Sequence, residues 1–264
     1  MPEVPVRGRL LAYEGQPSDF DKSSLSIVFI HGSGGDREDW RAQLDGLPHA
    51  ATVVALELPG HGESDPPGET SVAAYARWVT DFVDVLRLQR VVLVGCSLGS
   101  AITQWIALFG ARSWLEGIGL VGAGARLRVH SAFLDGLRQD KENALAMLSD
   151  YCLSPAAGEP LRTRLREKYV KTSADIVHGD LSACNEFDVM DKIHQVRLPT
   201  AIFVGEDDRL TPVKYARFLH DKISGSHLAV VPQAGHLVMM EQPEEFNRLL
   251  VEFLTELKGR SNRP

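Results

Sequence analysis

The chain is poor in cysteine and has no long hydrophobic run, and each shortage excludes a class of protein. Of its 264 residues three are cysteines, Cys96, Cys152 and Cys184. They form no C-x-x-C pair and leave one thiol unpaired in any scheme, which rules out a disulfide scaffold. The longest uninterrupted apolar runs, such as Ile27–Ile30 and Val91–Val94, have strand length and fall far short of the ~20 residues that span a bilayer. The opening Met1-Pro-Glu-Val-Pro-Val-Arg7 lacks the apolar stretch of ~7–15 residues that a signal peptide needs. Basic residues are outnumbered 28 to 35, for a formal charge of −7, which argues against a nucleic-acid or anionic-membrane partner. Repeats and low-complexity tracts are missing too. A cytoplasmic protein acting on a small molecule is the expectation.

The hydrophobic share of 44% is enough to bury a large core, so disorder is excluded. At ~150 residues per domain the length falls between one domain and two. Strand-like and helix-like segments alternate, the pattern of a mostly parallel sheet with helices on both faces, an α/β class. After a hairpin-like opening (Val4–Tyr13), buried strands are expected at Ser26–His31 and Thr52–Glu57, and further strands at Arg90–Gly95, Ile118–Val121, Thr200–Gly205 and Leu228–Val231. Val72–Leu86 carries a single apolar stripe and reads as a helix capped by Thr70 or Ser71. A further apolar helix runs from Ser97 to about Phe109, another starts near Pro212, and the last covers about Glu244 to Leu257. The polar end Lys258–Pro264 is expected to fray. From Ala125 to Met190 the strand-like runs stop, and amphipathic stretches such as Ala132–Leu148 and Leu161–Val170 take over. The layout is a core, residues 1–124 and 191–264, interrupted by a helical insertion, 125–190.

Gly95-Cys96-Ser97-Leu98-Gly99 matches G-x-S-x-G at the junction of an apolar strand and an apolar helix. A nucleophile on so sharp a turn holds a strained backbone, and its flanks at −2 and +2 pass too close to their neighbours for a side chain. Such a turn lifts the Ser97 hydroxyl above the sheet, over a helix N-terminus that favours developing negative charge. The serine needs a base, and the base an orienting acid. Two loops lie beyond the ends of later strands, where open parallel sheets place their ligand sites. Gly205-Glu206-Asp207-Asp208-Arg209-Leu210-Thr211-Pro212 supplies an aspartate and Gln233-Ala234-Gly235-His236-Leu237 a histidine. The chain order Ser…Asp…His results. The glycine-rich loop His31-Gly32-Ser33-Gly34-Gly35-Asp36 lacks the Gly-Lys-[Ser/Thr] ending of a phosphate cradle. His31, His61 and His236 show no metal-ligand spacing. No metal and no cofactor are therefore expected. Cys96 and Trp105 read as core residues, while Trp40 and Met239-Met240 fit core or pocket wall equally.

These patterns, with Pro59-Gly60-His61-Gly62-Glu63-Ser64 and Glu241-Gln242-Pro243, resemble the α/β-hydrolase superfamily over nearly the whole chain outside 125–190. The resemblance implies an α/β-hydrolase fold with a Ser97–Asp208–His236 triad. In the family the acid commonly lies three residues after the glycine that ends its strand, which selects Asp208; a one-residue shift would promote Asp207. The oxyanion hole would use the backbone N–H groups of Leu98, next to the nucleophile, and of Ser33, after His-Gly. The helical insertion occupies the family's cap position, where the acyl or alcohol group is enclosed. Its Phe133, Leu134, Leu137, Leu145, Met147, Leu148, Tyr151, Leu153 and Tyr169 imply an apolar pocket, and Arg126 or Arg128 could meet a substrate carboxylate.

Enol-lactonases and carboxylesterases look most similar, through Gly-x-Ser-Leu-Gly and Gly-His-Leu followed by Glu-Gln-Pro. Carbon–carbon bond hydrolases share the His-Gly-Ser-Gly loop but often carry a Trp where Leu237 stands. Dehalogenases and epoxide hydrolases use an Asp where this chain has Ser97. The expectation is a serine hydrolase of carboxylic esters, lactones or thioesters with small to medium acyl groups. A carbon–carbon hydrolase, a lyase or synthase using the same triad, and a small-molecule receptor that keeps the triad are the alternatives.

Overall fold

The alternation of strand and helix closes into one eight-stranded sheet. The computed structural model describes residues 2–15, 24–47, 50–110 and 112–261. The strands are β1 (Glu3–Val6), β2 (Arg9–Gly15), β3 (Ser26–Ile30), β4 (Thr52–Leu56), β5 (Val91–Cys96), β6 (Leu115–Val121), β7 (Thr200–Gly205) and β8 (His227–Val231). Their spatial order is β1-β2-β4-β3-β5-β6-β7-β8. The hairpin β1–β2 joins antiparallel to β4, and every pairing from β4 through β8 is parallel. This is the α/β-hydrolase fold class that the sequence implied.

Continuous apolar strands arise because both faces of the sheet are covered. Along β3, Val28 and Ile30 join one hydrophobic cluster while Ile27 and Phe29 join the other, and β5 alternates in the same way. On the first face pack α2 (Val72–Leu86) and α3 (Leu98–Phe109); on the second, α1 (Arg41–Gly46) and α10 (Pro243–Ser261). Ser71 caps α2, its hydroxyl accepting the Ala74 N–H. Trp40, fully buried and stacked on Phe29 at 4.5 Å, belongs to the core, as does Met239. Cys96 is likewise buried.

Between β6 and β7 stand α4 (Ser131–Gln139), α5 (Lys141–Cys152), α6 (Glu159–Lys171) and α7 (Ala174–Glu186). The amphipathic stretch Ala132–Leu148 comprises parts of two helices. Asp140 breaks it with an extended φ of −150° and caps the second through the Asn143 N–H. The chain end departs from expectation. Lys258 continues α10 to Ser261 because Leu257 is buried and Lys258 Nζ reaches the Ala50 carbonyl at 2.6 Å. Residues 262–264 lie outside the described residues. The remaining helices, α8 (Val213–Lys222) and α9 (Val238–Glu241), flank β8 in sequence. No helix among the described residues is long and apolar enough to cross a membrane.

The order of the strands decides where chemistry can occur. After β3 the chain moves to β4 on one side and then to β5 on the other, a topological switch point. The loops leaving β3 and β5 therefore meet above the carboxyl ends of adjacent strands, paired through Ile30 and Gly95.

Candidate active site

Ser97 occupies the turn between β5 and α3 with φ 52° and ψ −112°, a left-handed conformation that costs a non-glycine residue free energy. Its neighbours explain why the turn tolerates no bulk. A side chain on Gly95 would overlap the Gly99 carbonyl, and one on Gly99 would overlap the Ile30 carbonyl of β3. The two glycines let strand, turn and helix press together, and the Ser97 N–H donates to Val121 O at 2.9 Å to fix the turn to β6.

His236 follows β8 and is buried, its backbone N–H donating to Cys152 O at 2.8 Å. Its Nδ1 lies 2.9 Å from Asp208 Oδ2. A carboxylate only accepts, so Nδ1 carries the proton and Nε2 is left as the acceptor. Asp208 is buried after β7 and collects further donors: Leu210 N–H at 2.9 Å, Thr211 N–H at 2.8 Å and Thr211 Oγ1 at 2.8 Å. Burial alone would raise its pKa, but the His236 charge and these hydrogen bonds outweigh it and hold the carboxyl below its usual 3.8. His236 shows the reciprocal shift: burial opposes its charge, the Asp208 carboxylate overrides, and its pKa lies above the usual 6.5. Asp207 turns elsewhere. Its Oδ2 accepts from Ser154 Oγ at 2.6 Å.

Two residues that sequence reasoning did not single out support this pair. Thr211 bonds Asp208 and lies 3.2 Å from His236 Nδ1. Glu241 accepts the Gly235 N–H at 2.9 Å and the Ser154 N–H at 2.7 Å, tying the His236 loop to the helical insertion. Both belong to motifs already noted, but only the fold shows what they touch.

Ser97 and His236 line one cavity of about 410 Å³, together with Gly32 and Ser33 from the loop after β3. Ser33 is buried, and its Oγ lies 3.8 Å from Cys184 Sγ. Leu98 opens α3, where first-turn N–H groups lack intrahelical acceptors and the helix dipole is positive. The outer wall comes from the insertion. Leu134, Leu137, Leu145 and Leu153 face packing, whereas Phe133, Met147, Leu148, Tyr151 and Tyr169 reach the cavity. Of the two arginines, Arg128 lines the cavity and Arg126 pairs with Asp188 at 3.6 Å away from it. Neither Trp40 nor the Met239-Met240 pair is on its wall. His31 hydrogen-bonds within the loops, but His61 reaches beyond them to Asp180 of α7.

A model described as the alpha/beta hydrolase family matches residues 27–249. The chain belongs to that family. Among α/β-hydrolases of known structure it is similar to one titled a thermophilic esterase, with 32% identity, a TM-score of 0.85 and 97% of each chain covered. It is similar to 3-oxoadipate enol-lactonase 1 of Acinetobacter baylyi, 25% identical over 90% of this chain and 91% of that one. Serine hydrolase BPHL of Homo sapiens is 29% identical over 96% of this chain and 85% of its own length.

Proposed function

We propose that the chain is a serine hydrolase that cleaves carboxylic esters, lactones or thioesters of small to medium acyl groups through an acyl-enzyme. The observation that carries this reading is the buried His236–Asp208 pair, whose histidine lines the same cavity as Ser97 at the head of α3. Its esterase and lactonase relatives support ester or lactone hydrolysis in general.

In the first half-reaction His236 Nε2 takes the Ser97 hydroxyl proton as Oγ attacks the carbonyl carbon. Negative charge gathers on the carbonyl oxygen, where the N–H groups of Ser33 and Leu98 receive it; losing one such donor costs about 10²–10³-fold in rate. Asp208 keeps the imidazole in the right tautomer and stabilises the imidazolium. Collapse of the adduct breaks the bond to the leaving oxygen or sulfur, which takes the proton from Nε2. Water then enters, gives a proton to Nε2 and attacks the acyl carbon. The second collapse releases the acid and returns the proton to Ser97. The reaction needs no cofactor.

Residues 125–190 serve as the cap of a core formed by 1–124 and 191–264. The cap supplies Leu127, Val129, Phe133, Leu148, Leu165 and Leu181 to the cavity wall, an apolar lining that suits acyl chains and excludes water. The small-molecule ester is the only partner this reading requires. Three free, buried cysteines fit a reducing cytoplasm.

A fluorophosphonate probe should label Ser97 in the wild type and not in Ser97→Ala, and p-nitrophenyl esters of short acids should release p-nitrophenol with repeated turnover. A folded wild type that resists the probe overturns the nucleophile. Labelling without turnover of any ester favours carbon–carbon cleavage or ligand reception by the same residues.

A further inference from the structure

A second buried polar cluster lies beside the cavity, and the catalytic steps make no use of it. Asp180 of α7, inside the insertion and fully buried, receives three donors from three different parts of the core. Gly34 N–H lies 2.8 Å from Oδ2, His61 Nε2 lies 2.8 Å from the same oxygen, and Tyr75 Oη of α2 lies 2.6 Å from Oδ1. Tyr75 Oη accepts the Glu69 N–H at 3.0 Å, which leaves its own proton for Asp180.

The protonation states follow from the partners. Nδ1 of His61 faces the Pro59 carbonyl at 3.1 Å and Nε2 faces the Asp180 carboxylate, so both ring nitrogens donate and the ring is an imidazolium. Its neighbour His31, with ring centroids 4.7 Å apart, is neutral, because Nδ1 faces the Gly32 carbonyl while Nε2 accepts the Leu58 N–H. Burial and the nearby His61 charge both push His31 well below the usual range, and Asp180 overcomes burial to hold His61 above it. The groups that face His61 are thus Asp180, His31, Tyr75 and the backbone at Leu58 and Pro59. A fully buried ion pair is costly to form unless each partner is saturated with hydrogen bonds, which is the case here.

What the pair holds is one peptide plane. Tyr169 of α6 donates its hydroxyl to Ser33 O at 3.2 Å, and Asp180 of α7 accepts the N–H of the next residue, Gly34. Both ends of the Ser33–Gly34 peptide are therefore gripped by the insertion. Gly34 takes φ +64°, and its N–H and the Ser33 carbonyl are held on opposite sides. Fixing that plane anchors the Ser33 Cα. The Ser33 N–H itself lies in the preceding peptide plane, whose Gly32 carbonyl accepts the Gly35 N–H at 3.0 Å and faces His31 Nδ1 at 2.8 Å. The two held planes together set the direction of the Ser33 N–H.

We propose that Asp180 and Tyr169 are positioning residues for the oxyanion hole, so that the hole is complete only while the helical insertion is docked on the loop after β3. The proposal rests on the serine-hydrolase reading and adds to it a coupling between cap and catalytic loop. Asp180 is not on the cavity wall, so its replacement alters the loop without removing a substrate contact.

The test is steady-state kinetics of full-length Asp180→Asn on a p-nitrophenyl ester. Inhibition by a product carboxylic acid is measured beside inhibition by a boronic acid that forms a tetrahedral adduct on Ser97. Asparagine keeps the shape but cannot accept all three donors. The expected result is a fall in kcat of about 10–100-fold, less than the outright loss of a donor, with KM within about threefold. Affinity for the boronate should fall in step with kcat while affinity for the product acid holds. Tyr75→Phe, which removes one donor and keeps the ring, should give a several-fold kcat loss with the same split, and it carries the test if Asp180→Asn does not fold. Retained kcat in a folded variant, or a loss carried by KM, overturns the proposal alone. A wild type that resists fluorophosphonate overturns the hydrolase reading and this proposal with it.

Discussion

Asp207 and Asp208 are the same side chain one position apart, and their surroundings give them different work. Asp208 meets His236 and the Thr211 donors, while Asp207 bonds Ser154 of the insertion. Asp208→Asn should reverse the His236 tautomer and lower kcat by about 10³–10⁴-fold. Asp207→Asn keeps an acceptor for Ser154 and should change kcat by no more than a few-fold, so the two variants assayed side by side assign the acid. The sequence could offer both aspartates because the loop Gly205–Pro212 was recognisable, and resemblance favoured Asp208. Which carboxylate faces inward is set by the backbone of that loop, where Asp208 N–H donates to Gly205 O and Asp207 N–H to Ala234 O.

At the scale of elements, the core strands and helices were legible because their patterns are strong: β3, β5 and β7 are apolar on both faces, and α2 carries one stripe. The insertion was less legible. Helix α7 escaped notice because its buried face carries Gly179 and Asp180 among the apolar residues, so no clean stripe appears. Helix α6 is held to the loop after β3 by Lys168, whose Nζ lies 2.7 Å from Asp36 and 2.5 Å from Asp39. Burial raises the Asp39 pKa despite the lysine. Lys168→Ala should strand a buried carboxylate and destabilise the protein by about 3 kcal/mol. The loss should be smaller at pH 5 than at pH 8, because an Asp39 without its cation takes up a proton more readily as the pH falls. Urea unfolding at the two pH values reads the difference.

For the molecule as a whole, three buried histidines contribute to how stability follows pH. His61 and His236 titrate above the usual 6.5 in the folded state. Each therefore adds stability that is fully present below 6.5 and is lost as pH rises through its folded pKa. His31 titrates well below 6.5, so its penalty is felt at low pH and disappears as pH rises to 6.5. Together they put the histidine contribution at a maximum near pH 6.5, measured by denaturant unfolding from pH 5 to 9. Asp180→Asn should flatten the alkaline side by removing the charge that raises His61, and an unchanged slope would show that His61 does not carry that share.

The chain order of Ser97, Asp208 and His236, the glycines that let the Ser97 turn close, and the paired-face strands are written in the sequence by itself. They depend on local sterics and on a period of two or 3.6, which any stretch of chain displays to a reader. The sequence could not say that Asp180, Tyr169, Tyr75 and His61 meet around one peptide of the loop after β3. Those residues are separated by as many as 119 positions, and no periodic pattern links them to one another. Only the tertiary structure, by laying an insertion between β6 and β7 over the switch point of the sheet, brings a buried charge to the place where it can hold the loop after β3.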